Sequence, residues 1–142
     1  MTKKPFTILP DDTVQRAAVI MLEKKLSGLP VLDGSGKVVG ILTQGDVFRV
    51  LTSITGVYRG GVQIAFRLDD RAGSIRDVGD EIRAAGGRMV SILTSYETAP
   101  EGYRNVFFRV IGLTVEQENA LIDNLKKKFH YLYHSRDELK MP

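Results

Sequence analysis

The sequence predicts a mixed α/β fold of the α+β kind, built from two consecutive segments. Residues 1–54 show a helix, two short extended stretches and a second helix, whereas residues 61–136 show the order β-α-β-β-α-β. That second order is typical of a ferredoxin-like, split βαβ arrangement. Glycines at positions 56 and 60 interrupt both patterns. We therefore expect a linker over residues 55–60 and a tail over residues 137–142.

The composition is that of a globular protein, with 43% apolar and 26% charged residues among 142 and a net charge of +3. The longest stretch without a charged side chain is the nine residues 50–58, and a membrane-spanning helix needs about 20 apolar residues. Cysteine is absent, which removes disulfide frameworks and thiol-based sites. The only tight basic run, residues 126–128, lies within a helical pattern. We therefore expect a cytoplasmic protein that binds neither membranes nor nucleic acid.

Local patterns define the elements of the first segment. The acidic and hydroxyl residues 11–13 can accept hydrogen bonds from the free N–H groups at a helix start. The helix then carries apolar residues at helical spacing, namely Val14, Ala17, Ala18, Met21, Leu22 and Leu26. Glycine predicts its end near residues 27–28. Residues 29–32 and 37–42 flank a glycine-containing turn, which predicts a hairpin, and a second helix opens at residue 44.

The second segment begins with residues 62–68, whose alternating side chains predict a strand with one buried face. Next comes a predicted helix with apolar residues Ile75, Val78, Ile82 and Ala85. Strands are expected at 89–96 and 106–111, and Thr114 caps a further helix before a last short strand at 129–133. In this order both helices cover one face of the sheet and leave the other bare. We therefore expect the segment to associate into a homodimer.

Few residues could perform acid–base or metal chemistry near neutral pH. His130 and His134 lie four apart, and in a strand we expect both on one exposed face rather than at a metal site. The sequence has neither a G-x-S-x-G nucleophile motif nor a G-x-x-x-x-G-K-[ST] phosphate loop. We therefore expect no enzyme activity, no metal and no required cofactor.

Residues 40–46 (GILTQGD) join a predicted strand to a predicted helix. The N–H groups and the positive end of that helix would point to one spot that suits a phosphate. Thr43 could offer its hydroxyl to the phosphate, Gly45 would let a ligand approach the backbone, and Asp46 could accept hydrogen bonds from two ribose hydroxyls. A plain Thr/Asp helix cap fits the same residues. From spacing alone, a nucleotide site and a structural cap both stay open.

Residues 1–53 resemble one cystathionine-β-synthase (CBS) motif. The resemblance rests on a Met-Thr-x-x-Pro start at residues 1–5, the lead-in at 7–13, the stretch GLPVLD at 28–33, and the 40–46 segment followed by Val-Phe. Such motifs work in pairs as regulatory modules that bind adenosine-containing ligands. The resemblance therefore implies a regulatory ligand such as AMP, ADP, ATP or S-adenosylmethionine.

The same resemblance implies a role for individual residues. Thr43 and Asp46 would hold phosphate and ribose. The adenine would be bordered by Thr7, Ile8 and the backbone around Gly28, Leu29 and Pro30. The apolar residues of that stretch also suit a plain core strand, and both interpretations can hold together.

Residues 61–136 resemble an ACT domain, through the alternating strand at 62–68, the turn at 69–73, the following helix and the strand at 89–95. ACT domains are small-molecule sensors, often for amino acids. The resemblance implies an amino-acid site formed by Asp69, Asp70, Gly73 and Ser74. An alanine replaces the proline that is common before the turn glycine, so a role in dimerisation alone stays equally open.

The order CBS then ACT, with F-x-x-L-T-x-x-T-G at residues 48–56, resembles the acetoin utilization protein B family. Members carry two CBS motifs, so we expect either a fragment of a larger protein or a partner motif supplied by another chain. The leading hypothesis is a non-catalytic ligand sensor, and the alternative is a structural dimerisation module with a vestigial ligand site. RNA binding through residues 106–110 is disfavoured because the strand lacks the glycine-interleaved RNA-recognition signature.

Overall fold

The computed structural model describes residues 6–139. The chain divides into two compact units, which we call the first unit (residues 1–52) and the second unit (residues 53–142). The Met-Thr-x-x-Pro start at residues 1–5, part of the CBS resemblance, lies outside the described residues. Each unit has its own hydrophobic core.

The first unit contains helix α1 (Val14–Lys24), strands β1 (Gly28–Leu32) and β2 (Val38–Thr43), and helix α2 (Gln44–Ile54), which continues two residues past its boundary. Strands β1 and β2 pair antiparallel, which confirms the predicted hairpin. A parallel bridge joins Ile8 to Val31, so residue 8 lies alongside β1. The buried core of this unit is small and consists of Ile8, Ala17, Met21 and Leu29.

Helix α1 begins where the sequence predicts but ends earlier. Thr13 is the N-cap, and its side chain accepts a hydrogen bond from the N–H three residues on. The predicted end near Gly28 is wrong, because Lys25 takes the left-handed conformation (φ 55°) and its N–H donates to the Met21 carbonyl. Gly28 instead lies in β1, where a Cβ would be 3.3 Å from the Leu42 carbonyl oxygen. Glycine is therefore favoured at this position by the close approach of β2 to β1, and not by the end of the helix.

The second unit has the predicted β-α-β-β-α-β order. After a short 3-10 turn (Val57–Arg59) come β3 (Val62–Asp69), α3 (Ser74–Ala84), β4 (Arg88–Ser95), β5 (Tyr103–Ile111), α4 (Val115–Lys128) and β6 (His130–Arg136). The sheet order is β4-β5-β3-β6 with every neighbouring pair antiparallel. This is the ferredoxin-like topology, so the predicted fold class is confirmed.

One face of this sheet carries the main core. Alternate residues of β3 and β5 point toward α3 and α4, and the largest of them, Phe66 and Phe108, are fully buried with an edge-to-face contact of 5.8 Å between ring centroids. The helices contribute the buried side chains Val78, Ile82, Leu121, Ile122 and Leu125. The strict alternation of β3 thus marks this face correctly.

The opposite face of the sheet was predicted to be bare, and at one end it is covered. Arg109 points to this face and is only 3% exposed. Its guanidinium donates to the carbonyl oxygens of Thr55 and Gly60, at 3.1 and 3.0 Å, and to Asp137 Oδ2 at 2.9 Å. The segment before β3 and the chain after β6 are therefore both attached to the sheet by one side chain.

The two histidines do not share a face, contrary to the sequence prediction. His130 lies opposite Arg67 and His134 opposite Ile64, because the β3–β6 register shifts between residues 65 and 66. The irregularity reverses the alternation of β6 between the two histidines. No group of three or more His, Cys, Asp or Glu residues that could hold a metal occurs within residues 6–139. No helix in that range is long and apolar enough to span a membrane.

Candidate functional site

Thr43 and Asp46 form a closed pair at the start of α2. The N–H and the hydroxyl of Thr43 both donate to Asp46 Oδ2, at 2.8 and 2.9 Å, and the Thr43 hydroxyl oxygen accepts from the Asp46 N–H at 3.2 Å. This is a capping box with Asp in the position usually taken by Glu or Gln. The structural cap that the spacing left open is therefore present. A ligand at this point must use the polar groups that the cap leaves free.

The second carboxylate oxygen of Asp46, Oδ1, takes no part in the cap. Oδ1 lies 3.2 Å from the guanidinium of Arg49, whose side chain is 78% exposed. Hydrogen bonds from the Thr43 backbone and hydroxyl, together with the Arg49 charge, hold the pKa of Asp46 below its ordinary value of 3.8. The carboxylate is therefore ionised at neutral pH. Exposed ion pairs contribute little to stability, so a ligand hydroxyl could replace Arg49 at Oδ1.

Strand pairing brings β1 next to this helix start. Gly28 lies directly opposite Thr43 in the hairpin, and the Gln44 N–H donates to the Ser27 carbonyl at 3.0 Å. Gly45 follows Gln44 in the first turn of α2. A Cβ added at Gly45 would have only the Thr43 hydroxyl oxygen within 4 Å, at 3.6 Å. The fold of the described chain therefore does not require glycine at position 45, and its small size leaves the backbone of the first turn accessible.

The remaining predicted residues lie around β1. The Ile8 N–H donates to the Pro30 carbonyl at 3.1 Å. The side chains of Ile8 and Leu29 are 6% and 0% exposed and belong to the core of the first unit. They therefore contribute to packing beneath the surface rather than to the exposed part of the candidate site. Thr7 and Pro30 are half-buried and lie nearer the surface.

The first unit also exposes much apolar surface. No residue of α2 is buried, and its Phe48 and Leu51 are 61% and 48% exposed. Further large exposed apolar side chains are Val19, Leu22, Val38, Val39 and Ile41. Water contact for so many apolar groups on about 50 residues is unfavourable, and such surfaces are typical of interaction sites.

The predicted amino-acid site lies at the turn between β3 and α3. Asp69 pairs with the arginine two residues on, at 3.7 Å, and Asp70 Oδ1 accepts a hydrogen bond of 3.1 Å from the Tyr96 hydroxyl. Gly73 has φ 91° and precedes α3 as its N-cap, without a side-chain cap. The structure thus places the predicted residues close together, and the two carboxylates already have partners.

Arg104 of β5 contacts the turn between β3 and α3, and the sequence did not lead us to predict it as a site residue. It donates to Ser74 Oγ at 2.9 Å and lies 3.8 Å from Asp70, and its buried Nε has no hydrogen-bond partner among the described residues. Arg104 shares a strand face with the buried Val106 and Phe108. A charged residue on an apolar face of a strand was the signal that could have identified it.

Comparison with protein families identifies the first part of the chain. Residues 1–53 match the family model of the CBS domain, so this stretch is a CBS domain, as the resemblance predicted. The matched stretch is less than half of the chain.

Two curated relatives illustrate the range of similar proteins. CBSX2, a chloroplastic CBS domain-containing protein of Arabidopsis thaliana, is 41% identical over 54 residues, which are 38% of this chain and 23% of that protein. An inosine-5'-monophosphate dehydrogenase of Methanocaldococcus jannaschii is 49% identical over 45 residues, which are 32% of this chain and 9% of that protein. The chain therefore spans about a quarter or less of these two relatives.

Two solved structures are also similar to parts of the chain. One is CBSX2 in complex with AMP, with 41% identity over 38% of this chain and 40% of that one and a TM-score of 0.36. The other is the ACT domain from a GTP pyrophosphokinase of Chlorobium tepidum, with 15% identity over 54% of this chain and 97% of that one and a TM-score of 0.40.

Proposed function

Since residues 1–53 form a CBS domain, we propose that the chain is a non-catalytic ligand sensor whose first unit binds an adenosine nucleotide. The observation that carries the proposal is the start of α2. There an ionised Asp46 with one oxygen at the surface stands in the first turn of a helix, beside the accessible backbone of Gly45. A helix N-terminus favours a phosphate, and a carboxylate accepts hydrogen bonds from ribose hydroxyls.

The contacts within the first unit support a role for each residue of the proposed site. The Thr43 hydroxyl already donates to Asp46 Oδ2, and the N–H groups on both sides of Gly45 already have acceptors. The phosphate would therefore be met by the Gly45 N–H rather than by that hydroxyl. The ribose would displace Arg49 from Asp46 Oδ1. The adenine would lie beside Thr7 and Pro30, above the buried core.

A relative supports the ligand class. CBSX2 is 41% identical over 54 residues and has been solved in complex with AMP. We therefore place AMP first among the candidates, followed by ADP, ATP and S-adenosylmethionine.

A second CBS domain would complete the site. The exposed apolar side chains of α1, β2 and α2 lack a covering partner within residues 6–139. In a homodimer, a second copy would bury them and close the cleft around the nucleotide. This pairing also fits the acetoin utilization protein B family, to which the order of the two units and the residues at their join point.

The second unit would provide dimerisation and a second ligand site. Its ACT-like turn has a half-buried Arg104 with an unused Nε, which suits the carboxylate of an amino acid or small acid. Binding of either ligand would shift the population of domain arrangements by its differential affinity for them. We propose that this takes place in the cytoplasm.

Calorimetric titration of the full chain with the four nucleotides tests the first site. We expect AMP to bind, Asp46→Asn to weaken binding at least about tenfold by removing a charge-assisted hydrogen bond, and Asp123→Asn to leave it unchanged. Asp123 is an exposed helical carboxylate of the second unit. Circular dichroism checks that the weakened cap has not unfolded α2. Equal AMP binding by wild type and Asp46→Asn would refute the site.

The alternative is a structural dimerisation module with a vestigial site. It is favoured by the closed Thr43–Asp46 pair, because the cap alone explains both side chains. This function predicts a dimer in analytical ultracentrifugation and no heat of binding with any of the four nucleotides.

A further inference from the structure

The second unit contains a cavity that neither predicted ligand site uses. Its volume is about 220 Å³, and its lining includes Arg59, Gly61, Gly112, Glu118 and Arg136. It lies at the start of β3, whereas the predicted amino-acid site lies at the end of the same strand. Eight residues of β3 at about 3.3 Å each separate the two by more than about 20 Å. The cavity is therefore a distinct place in the fold.

The charges of the lining favour an anion. Glu118 is buried, with a side chain only 10% exposed, and it is ion-paired with Arg136. Arg59 also lines the cavity, and its guanidinium has no hydrogen bond or ion pair with any residue the structure describes. Two guanidinium groups and one carboxylate leave one net positive charge, since the other lining residues are uncharged.

The backbone that carries Arg59 is fixed before any ligand arrives. Arg109 donates to the Gly60 carbonyl at 3.0 Å, and the Asp137 N–H donates to the Gly61 carbonyl at 3.0 Å. Gly61 has φ 74° and lies so close to β5 that a Cβ would be 2.2 Å from the Val110 carbonyl oxygen. Because this backbone is already ordered, a ligand at Arg59 would not have to order it.

We propose that this cavity binds a small oxyanion with one negative charge, held by the free guanidinium of Arg59 and by Arg136. Guanidinium groups bind carboxylates and phosphates through paired N–H donors. A volume of about 220 Å³ is well above the roughly 10–15 Å³ of cavity volume that one water molecule needs. The cavity therefore has room for a carboxylate or phosphate of a few heavy atoms.

Two-dimensional amide NMR of the full chain tests this proposal independently of the nucleotide site. The probes are sodium acetate and sodium phosphate, with sodium chloride at equal ionic strength as the reference. We expect saturable shifts of the Gly61 and Gly112 amides with at least one oxyanion, and the more effective one distinguishes carboxylate from phosphate. Shifts confined to α2 would belong to the nucleotide site and would overturn the proposed cavity site.

Three variants define the roles of the charges. Arg59→Gln should weaken the oxyanion at least about tenfold, and Glu118→Gln should strengthen it by freeing Arg136. Lys127 is an exposed helical residue outside the cavity. Lys127→Gln should therefore leave the affinity for the oxyanion unchanged, apart from the general effect of one positive charge fewer. Because Arg59 is exposed, its variant folds even if Glu118→Gln does not. The proposal is overturned if acetate and phosphate act no differently from chloride, if Arg59→Gln binds as wild type does, or if Glu118→Gln weakens binding.

Discussion

Arg109 connects three separate parts of the second unit, so its removal should destabilise that unit strongly. The perturbation is Arg109→Met, which keeps most of the side-chain stem and removes every donor. Two backbone carbonyls and Asp137 would lose a charged partner, and such bonds contribute about 1.5–3 kcal/mol each. Asp137 is 31% exposed, so water compensates there in part. We therefore expect a loss of about 3 kcal/mol, at the lower end for a broken buried pair.

The tyrosines provide a selective assay for this loss. All five lie at or after residue 58, and the chain has no tryptophan, so intrinsic fluorescence reports on the second unit alone. In a unit of 90 residues, about 3 kcal/mol corresponds to a fall in Tm of roughly 12–24 °C. Urea unfolding followed by tyrosine fluorescence gives the free energy directly.

Two further substitutions make the result specific. Arg109→Lys should fall between wild type and Arg109→Met, because one ammonium group cannot replace a planar fork on three acceptors. Arg76→Met, on a helical side chain that is 81% exposed, should change the free energy of unfolding by less than about 0.5 kcal/mol. A loss below about 1 kcal/mol for Arg109→Met would refute the view that this side chain holds residues 55–60 and Asp137 to the sheet.

Two more outcomes follow from the geometry of the second unit. Gly61→Ala should prevent normal folding because its Cβ would lie 2.2 Å from the Val110 carbonyl oxygen. Gly86 also has a positive φ but lies in open space. Gly86→Ala should therefore lower the free energy of unfolding, measured in urea, by about 1–2 kcal/mol. Hydrogen bonds from Lys128 and then Asn124 hold the pKa of Glu81 below its ordinary value of 4.5. A carboxyl group whose pKa is lower in the folded state than in the unfolded state stabilises the fold at pH values above its unfolded-state pKa. This contribution is lost as the pH falls through the folded-state pKa. Between about pH 5 and pH 3, wild type should therefore lose more stability than Glu81→Gln.

Controls accompany both outcomes. Similar stabilities for Gly61→Ala and Gly86→Ala would contradict the steric argument. For the acid titration, Glu101→Gln in an exposed loop serves as the matched variant and should follow wild type. If Glu81→Gln also follows wild type between those pH values, the contact with Lys128 does not stabilise the fold.

Much of the fold could be predicted from the sequence because its signals are local. The alternation over residues 62–68 and the helix caps at Thr13 and Thr114 depend on residues within a few positions of each other. The Thr43–Asp46 pair spans three residues, so both of its interpretations were accessible from spacing. The hairpin that brings Gly28 opposite Thr43 follows from a short turn. These features need no knowledge of distant contacts.

Other features were decided only by the tertiary structure. Arg109 is on the face of β5 that alternation predicts to be exposed, and it is buried because partners 54, 49 and 28 residues away converge on it. The register shift that separates His130 from His134 arises from pairing with β3. The cavity beside Arg59 is assembled from the segment just before β3, the ends of β5 and β6, and the first turn of α4.

The sequence by itself therefore determined the element order, the ferredoxin-like topology and the capping pair at the start of α2, and its resemblance to a CBS motif identified residues 1–53. Period and capping are properties of neighbouring residues, and they act before the chain is compact. The tertiary structure alone decided which charged side chains are buried, which are paired and which stay free. A long polar side chain can be buried only where carbonyls or carboxylates from distant positions satisfy it, and those partners come together only in the folded unit.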